Sequence, residues 1–233
     1  LNSDKDIIVL FNRLRKNSSI PHPFNEYSLI LVDAKTGKLL NEFLLPDMDQ
    51  FAYSVVDCQI RDNEVKISGN YSKKSDGGSI DYSENIGLFN FNFNKTDGKL
   101  IDSKFIKWEN IGERLNIDKK GFVKNEGRIF IHNMLSLSDD KTIVVCETFL
   151  SSPITTNNIY FLELSKDFKL NQVFAVDKFK NKFPETSAYA TDIKKFGLFD
   201  FMDYQNLGDD EFLFLFNDNE RKSKNRNNST LYG

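Results

Sequence analysis

A chain of 233 residues, 39% hydrophobic and 28% charged, has the make-up of a globular protein with a sizeable core, in the length range where an all-β fold stays a single domain. Its 31 Lys and Arg against 34 Asp and Glu leave a net charge of -3, which provides no basic field for nucleic acid. No apolar stretch approaches the roughly 20 residues that cross a bilayer as a helix.

In chain order, the first element is "IIVLF" from Ile7, apolar at consecutive positions, followed by the polar stretch "RKNSSIPHPFNE". The segment from Ser28, "SLILVDAKTGKLLNEFLL", reads as strand, tight turn, strand. "DCQIRDNEVKISGNY" repeats that form around Asn63, and "SKKSDGGSIDYSEN" separates it from another hairpin, "GLFNFNFNKTDGKLIDSKFIKW" from Gly87. Within the latter, Phe89, Phe91 and Phe93 alternate with Leu88, Asn90, Asn92 and Asn94, which predicts one dry and one wetter face. After the irregular stretch "ENIGERLNIDKKGFVKNEGR" come "IFIHNMLSLSDDKTIVVCETFL" from Ile129, the polar "SSPITTNN", and "IYFLELSKDFKLNQVFAV" from Ile159. The span Pro184 to Gly197 predicts a short helix, with Pro in its first turn and Gly as its stop. "LFDFMDYQNLGDDEFLFLFND" from Leu198 is a last hairpin before "NERKSKNRNNST".

Two markers repeat together. A Lys-Leu pair opens a returning strand at Lys38, Lys99 and Lys169, 61 and 70 residues apart, and acidic or amide turns fall at Asn63, Asp140 and Asp210, 77 and 70 apart. Asp, Asn and Gly supply the left-handed or Asx-stabilised conformations that tight hairpins need. With four strands a to d per unit, the chain reads as repeats at approximately 1–50, 51–110, 128–180 and 197–233. The runs "IIVLF", "IVVC" and "FLFLF" form central strands covered on both faces. Stacked four-stranded antiparallel sheets of this kind predict an all-β, β-propeller-like fold, incomplete at both ends, with its long b-c and d-a connections on one face. The chain opens at Leu1 without Met and closes inside a strand-like run, so a processed piece of a longer, exported polypeptide is expected.

The stretch "FIHNMLSLSDDKTIVVCETF" resembles the recurring blade hairpin of uncharacterised β-propeller-like envelope proteins of Gram-negative bacteria, and the Asn, Lys and Phe bias fits that company. The resemblance covers the repeats and brings no activity. It implies a periplasmic or outer-membrane-associated setting.

The chemistry available is narrow. Cys58 and Cys146 sit in apolar runs and read as buried free thiols. The only histidines are His22 and His132, and H-E-x-x-H, C-x-x-C, EF-hand and G-x-S-x-G patterns are missing, so no metal or other cofactor is implied. "DAKTGK" lacks P-loop spacing and reads as a turn. The basic run Arg221 to Arg226 reads as a solvated loop. His132, with Glu147 on the neighbouring strand and Asp57 at the equivalent place of the previous repeat, is the one candidate acid and base group. The plainer reading has His132 hydrogen-bonded within the blade and Glu147 holding a backbone turn. Phe24, Tyr71, Tyr82, Phe122, Phe183 and Tyr189, in or beside the long connections, are candidate anchors for a partner protein.

These features favour a non-catalytic protein-binding or scaffold module, an accessory subunit of an outer-membrane export or uptake channel without membrane insertion of its own. A hydrolase or lyase using a central-channel site, and a glycan-binding module, are the alternatives.

Overall fold

The computed structural model describes residues 7–15, 24–46, 51–74, 80–183, 190–218 and 230–232. The chain is all-β and antiparallel, as the turn chemistry predicts, and the strands among the described residues form four sheets. It divides into two compact units, Leu1–Asn110 and Ile111–Gly233.

In the first unit, β1 (Ile7–Arg15), β2 (Phe24–Asp33) and β3 (Leu39–Leu44) form a three-stranded sheet. β4 (Phe51–Arg61), β5 (Glu64–Lys74), β6 (Ile80–Asn94) and β7 (Leu100–Lys107) form a four-stranded meander, followed by a 3-10 turn at Trp108–Asn110. The two sheets share one core: Val9, Leu29, Leu31 and Phe43 pack with Tyr53, Val65, Ile67, Phe89, Phe91 and Phe93. The Phe43 and Phe93 rings stack at 5.8 Å. Each such ring removed from water stabilises the unit by about 1.5–3 kcal/mol.

The turns form as the sequence dictates. Asp33 Oδ1 accepts the backbone N–H groups of Lys35 and Thr36 and the Thr36 hydroxyl, so "DAKTGK" is an Asx-stabilised turn. Asn94 does the same with Thr96 and Asp97 in the β6–β7 turn. Gly98 there has φ +71°, and a Cβ on it would meet the Phe43 ring at 2.7 Å, so glycine permits both the turn and the contact between sheets.

The face of β6 expected to be wetter is so only toward the turn, where Asn92 and Asn94 are half-buried. Leu88 and Asn90 are buried, and Asn90 Nδ2 donates to Ser68 Oγ at 3.0 Å. That paired amide satisfies its polar group inside, which alternation alone does not reveal.

The second unit begins with α1 (Gly112–Leu115). β8 (Phe122–Val123), β9 (Gly127–Ser136), β10 (Thr142–Ser151), β11 (Ile154–Leu164) and β12 (Leu170–Val176) follow in one sheet, with β13 (Asn181–Lys182) paired to β11. α2 (Ala190–Lys195) leads to β14 (Phe201–Gly208), β15 (Glu211–Asp218) and β16 (Thr230–Tyr232), which form a three-stranded sheet. The helix expected between Pro184 and Gly197 is present over Ala190–Lys195, Pro184 itself lies outside the described residues, and Gly197 follows with φ +63°.

Leu135, Val145, Ile159 and Phe161 of the larger sheet pack with Phe201, Tyr204, Phe212, Phe214 and Phe216 of the smaller one. The two hairpin tips also meet, because Asp210 accepts the Ser138 N–H at 2.8 Å. Residues 144–149 of β10 are all buried, which fits a central strand covered on both faces. β15 departs from that expectation: Phe212, Phe214 and Phe216 face the core, but Leu215 is 37% exposed and Met202 beside it 57%.

Several predicted connections are partly strand: β2 takes in the end of "RKNSSIPHPFNE", and β5 and β6 take in both ends of "SKKSDGGSIDYSEN". "SSPITTNN" supplies the end of β10, a short turn and the start of β11, with Thr155, Thr156 and Asn157 buried. Thr156 Oγ1 and Asn157 Nδ2 find distant partners in Asp200 and the Glu126 carbonyl, which offsets much of the cost of burying them.

Candidate functional site: a buried carboxylate and lysine cluster

The sheet pairing places His132 on β9 beside Glu147 on β10. His132 Nε2 lies 3.3 Å from Glu147 Oε2, near enough for the carboxylate to attract a ring proton but misaligned for a hydrogen bond. Phe130, Phe199 and Phe201 surround the imidazole, with centroids at 5.0, 5.0 and 4.9 Å. Burial pulls the His132 pKa below its usual value against the opposing pull of Glu147, so the ring is neutral at pH 7.

Glu147 lies at the centre of a larger group. Its oxygens accept the backbone N–H of Asp200 at 3.1 and 3.2 Å and that of Phe201 at 3.0 Å. Lys178 Nζ stands 3.4 Å from Oε1 and touches Asp200 Oδ2 directly. Thr156 Oγ1 donates to the same Asp200 oxygen at 2.8 Å, and Asn181 Nδ2 donates to Oδ1 at 2.7 Å. The side chains of Lys178 and Glu147 are 0% exposed and that of Asp200 is 6% exposed. Burial raises the Asp200 carboxyl above its ordinary range, while Lys178 works in the opposite direction.

Next to this group, Glu126 in the β8–β9 turn accepts from Thr148 at 2.9 Å, Asn158 at 3.0 Å and Tyr160 at 2.8 Å. Asn158 in turn accepts the Lys178 backbone N–H at 3.3 Å. The two polar groups thus fasten β10, β11 and the residues after β12 to the residues entering β14.

Of the predicted acid and base residues, His132 and Glu147 come together. Asp57 belongs to the first unit, where its carboxylate accepts from Gln59 Nε2 at 2.9 Å. Glu147 holds backbone N–H groups, as the plainer reading of the sequence has it, though at the entry to β14 rather than in its own turn. Lys178, Asp200, Thr156 and Asn181 carry no motif, and the available signal was weak: an aspartate between Phe199 and Phe201, and a glutamate within the apolar run of β10. Neither thiol is poised to react, since burial pushes Cys58 up to about 12 and Cys146 also upward.

Among the aromatic candidates, Tyr71 needs correction. It is buried in β5, with its ring against Phe51 at 5.3 Å and Phe105 at 5.5 Å, because the strand continues past the point where the sequence suggests a loop. Phe183 is half-buried against the cluster of Phe149, Ile154, Ile193 and Phe199. Phe122 is 38% exposed. The side chains of Phe24 and Tyr82 and all of Tyr189 lie outside the described residues, as does the basic run Arg221 to Arg226. Among the described residues no helix is long and apolar enough to cross a membrane.

No curated protein matches the chain. Among solved structures it is similar to the Bacillus megaterium YpeB C-terminal domain, with 10% identity over 75% of this chain and 92% of that chain. The TM-score of 0.17 is too low for that likeness to carry an argument about fold or activity. The model of the family of unknown function DUF6770 matches residues 1–153, more than half of the sequence, and the chain belongs to that family.

Proposed function

We propose that the chain is a propeller-like, non-catalytic protein-binding module of the bacterial envelope, an accessory subunit of an outer-membrane export or uptake assembly. The observation that carries this reading is the apolar surface of the outer strands in the first unit. Leu39, Leu40 and Leu44 on β3 are 57%, 48% and 58% exposed, and Leu100, Ile101 and Phe105 on β7 are 42%, 53% and 38% exposed. The strands belong to sheets in contact with each other: Asn41 Nδ2 donates to the carbonyls of Lys95 and Thr96 at 3.0 and 3.1 Å. Exposed apolar side chains on the outer strands of two touching sheets suit a protein partner better than a small substrate. The sealed state of the His132 and Glu147 pair argues in the same direction, because a group that excludes water also excludes a diffusing substrate.

The sheet-by-sheet order of the repeats and the resemblance of the Ile129 hairpin to envelope proteins support the propeller-like arrangement and the location. Co-purification from native membranes tests the reading. A channel subunit should accompany the wild-type protein and be lost from a Leu100→Ser, Ile101→Ser variant that keeps its circular dichroism spectrum. A protein that stays solitary in native extracts, or a partner indifferent to both substitutions, contradicts it.

A further inference from the structure

We propose that Lys178 and Asp200 become joined by an intramolecular amide bond that the folded protein forms by itself. The proposal is independent of the envelope reading, because it rests only on groups within the second unit.

The reaction suits a sealed site, since both reactants are already inside. Lys178 Nζ is in contact with Asp200 Oδ2, and neither side chain has appreciable access to water. In water an ammonium and a carboxylate remain an ion pair, because hydration favours both charges. In a dry pocket the charged forms lose that support, and the neutral amine and neutral acid become accessible partners. Fixed contact also replaces a bimolecular encounter with an intramolecular one, which lowers the barrier further. The upward pull of burial on Asp200 agrees with a carboxyl that can carry the proton needed to leave as water.

The surrounding groups match the steps. One proton passes from Nζ to Oδ2 across the existing contact, giving amine and carboxylic acid. The Nζ lone pair then attacks Cγ of Asp200, and the charge that develops on Oδ1 falls on Asn181 Nδ2, 2.7 Å away. Glu147, 3.4 Å from Nζ, takes the surplus proton from nitrogen and returns it to Oδ2. Thr156 Oγ1, 2.8 Å from Oδ2, donates to the departing oxygen. One C–N bond forms, one C–O bond breaks and one water leaves. Glu147 ends as it began, and nothing is oxidised or reduced.

Other Lys and Asp neighbours show what is special about the pair. Lys99 and Asp97 lie 3.1 Å apart and Lys141 and Asp139 2.7 Å apart, but all four side chains are more than a third exposed, so both pairs remain ordinary ion pairs. The bond would tie the residues following β12 to the entry of β14, and so staple the larger sheet of the second unit to the smaller.

Mass spectrometry of the purified full chain tests this directly. The expected result is an intact mass lower than the sequence by one water, with a branched tryptic peptide that joins Lys178 to Asp200. A folded wild-type protein with the full sequence mass overturns the proposal, as does a water loss that maps to any other residue. Lys178→Met and Asp200→Ala should each restore the full mass. Glu147→Gln should also give the full mass while keeping its circular dichroism spectrum, and a linked E147Q protein overturns the role given to Glu147. The wild-type mass decides the existence of the bond whether or not a variant folds.

Discussion

Burial pushes the Asp57 carboxyl up from 3.8 to about 6, with the Gln59 hydrogen bond opposing. The folded protein therefore holds this proton more tightly than the unfolded chain, and stability is lost as pH rises from about 4 through 6. Asp57→Asn keeps an acceptor for Gln59 and removes the buried charge. It should stabilise the first unit by about 1 kcal/mol at pH 7.5, a value discounted from the full shift because the side chain is only part-buried. Urea unfolding at pH 4 and pH 7.5 checks this, with the gain expected only at the higher pH. His132 acts with the opposite sign. Its folded pKa is lowered, so the unfolded chain takes up the proton first as pH falls below about 6.5, and stability of the second unit declines. His132→Gln should remove that decline, which a pH series of thermal unfolding would reveal. Glu147→Ala leaves the backbone N–H groups of Asp200 and Phe201 without their acceptor and should cost about 1–3 kcal/mol for each in urea unfolding.

At the scale of elements, the hairpins were legible because their turns depend on local chemistry. Asp62, Asp140, Asp209 and Asp210 all have positive φ, a conformation that Asp and Asn tolerate better than most residues, and the Lys-Leu pairs mark where β3, β7 and β12 begin. The start of β11 was not legible. Thr156 and Asn157 look like loop residues until Asp200 and Glu126, far away in sequence, supply their partners. Lys178 and Asp200 carry no sequence motif for the same reason, since a site assembled from a strand end, a connection and a strand entry leaves no characteristic spacing. The exposed flank of β15 shows the converse limit: "FLFLF" declares a strand but not what covers each of its faces. Gly127 gives an element-level test. It has φ +110°, and a Cβ would lie 2.1 Å from the Phe149 carbonyl oxygen, so Gly127→Ala must push β9 away from β10. That substitution should lower the thermal midpoint of the second unit by several degrees, whereas Gly37→Ala, with open space around it, should have a smaller effect set by its positive φ alone.

For the molecule as a whole, repetition in the sequence corresponds to one sheet after another along the chain, and polar residues do more of the joining than composition suggests. In the first unit the sheets are held mainly by aromatic packing, with Asn41 tying β3 to the β6–β7 turn. In the second, aromatic contacts are reinforced by Glu147, Lys178 and Asp200. The same burial that makes these residues an effective fastening separates them from water. Amide hydrogen exchange tests that separation most directly. The amides of Asp200 and Phe201, which donate to Glu147, and those of Val144 to Thr148 should exchange only with global unfolding of the second unit. Exchange at these amides as fast as at the hairpin tips would mean that water reaches the cluster, and would contradict the account.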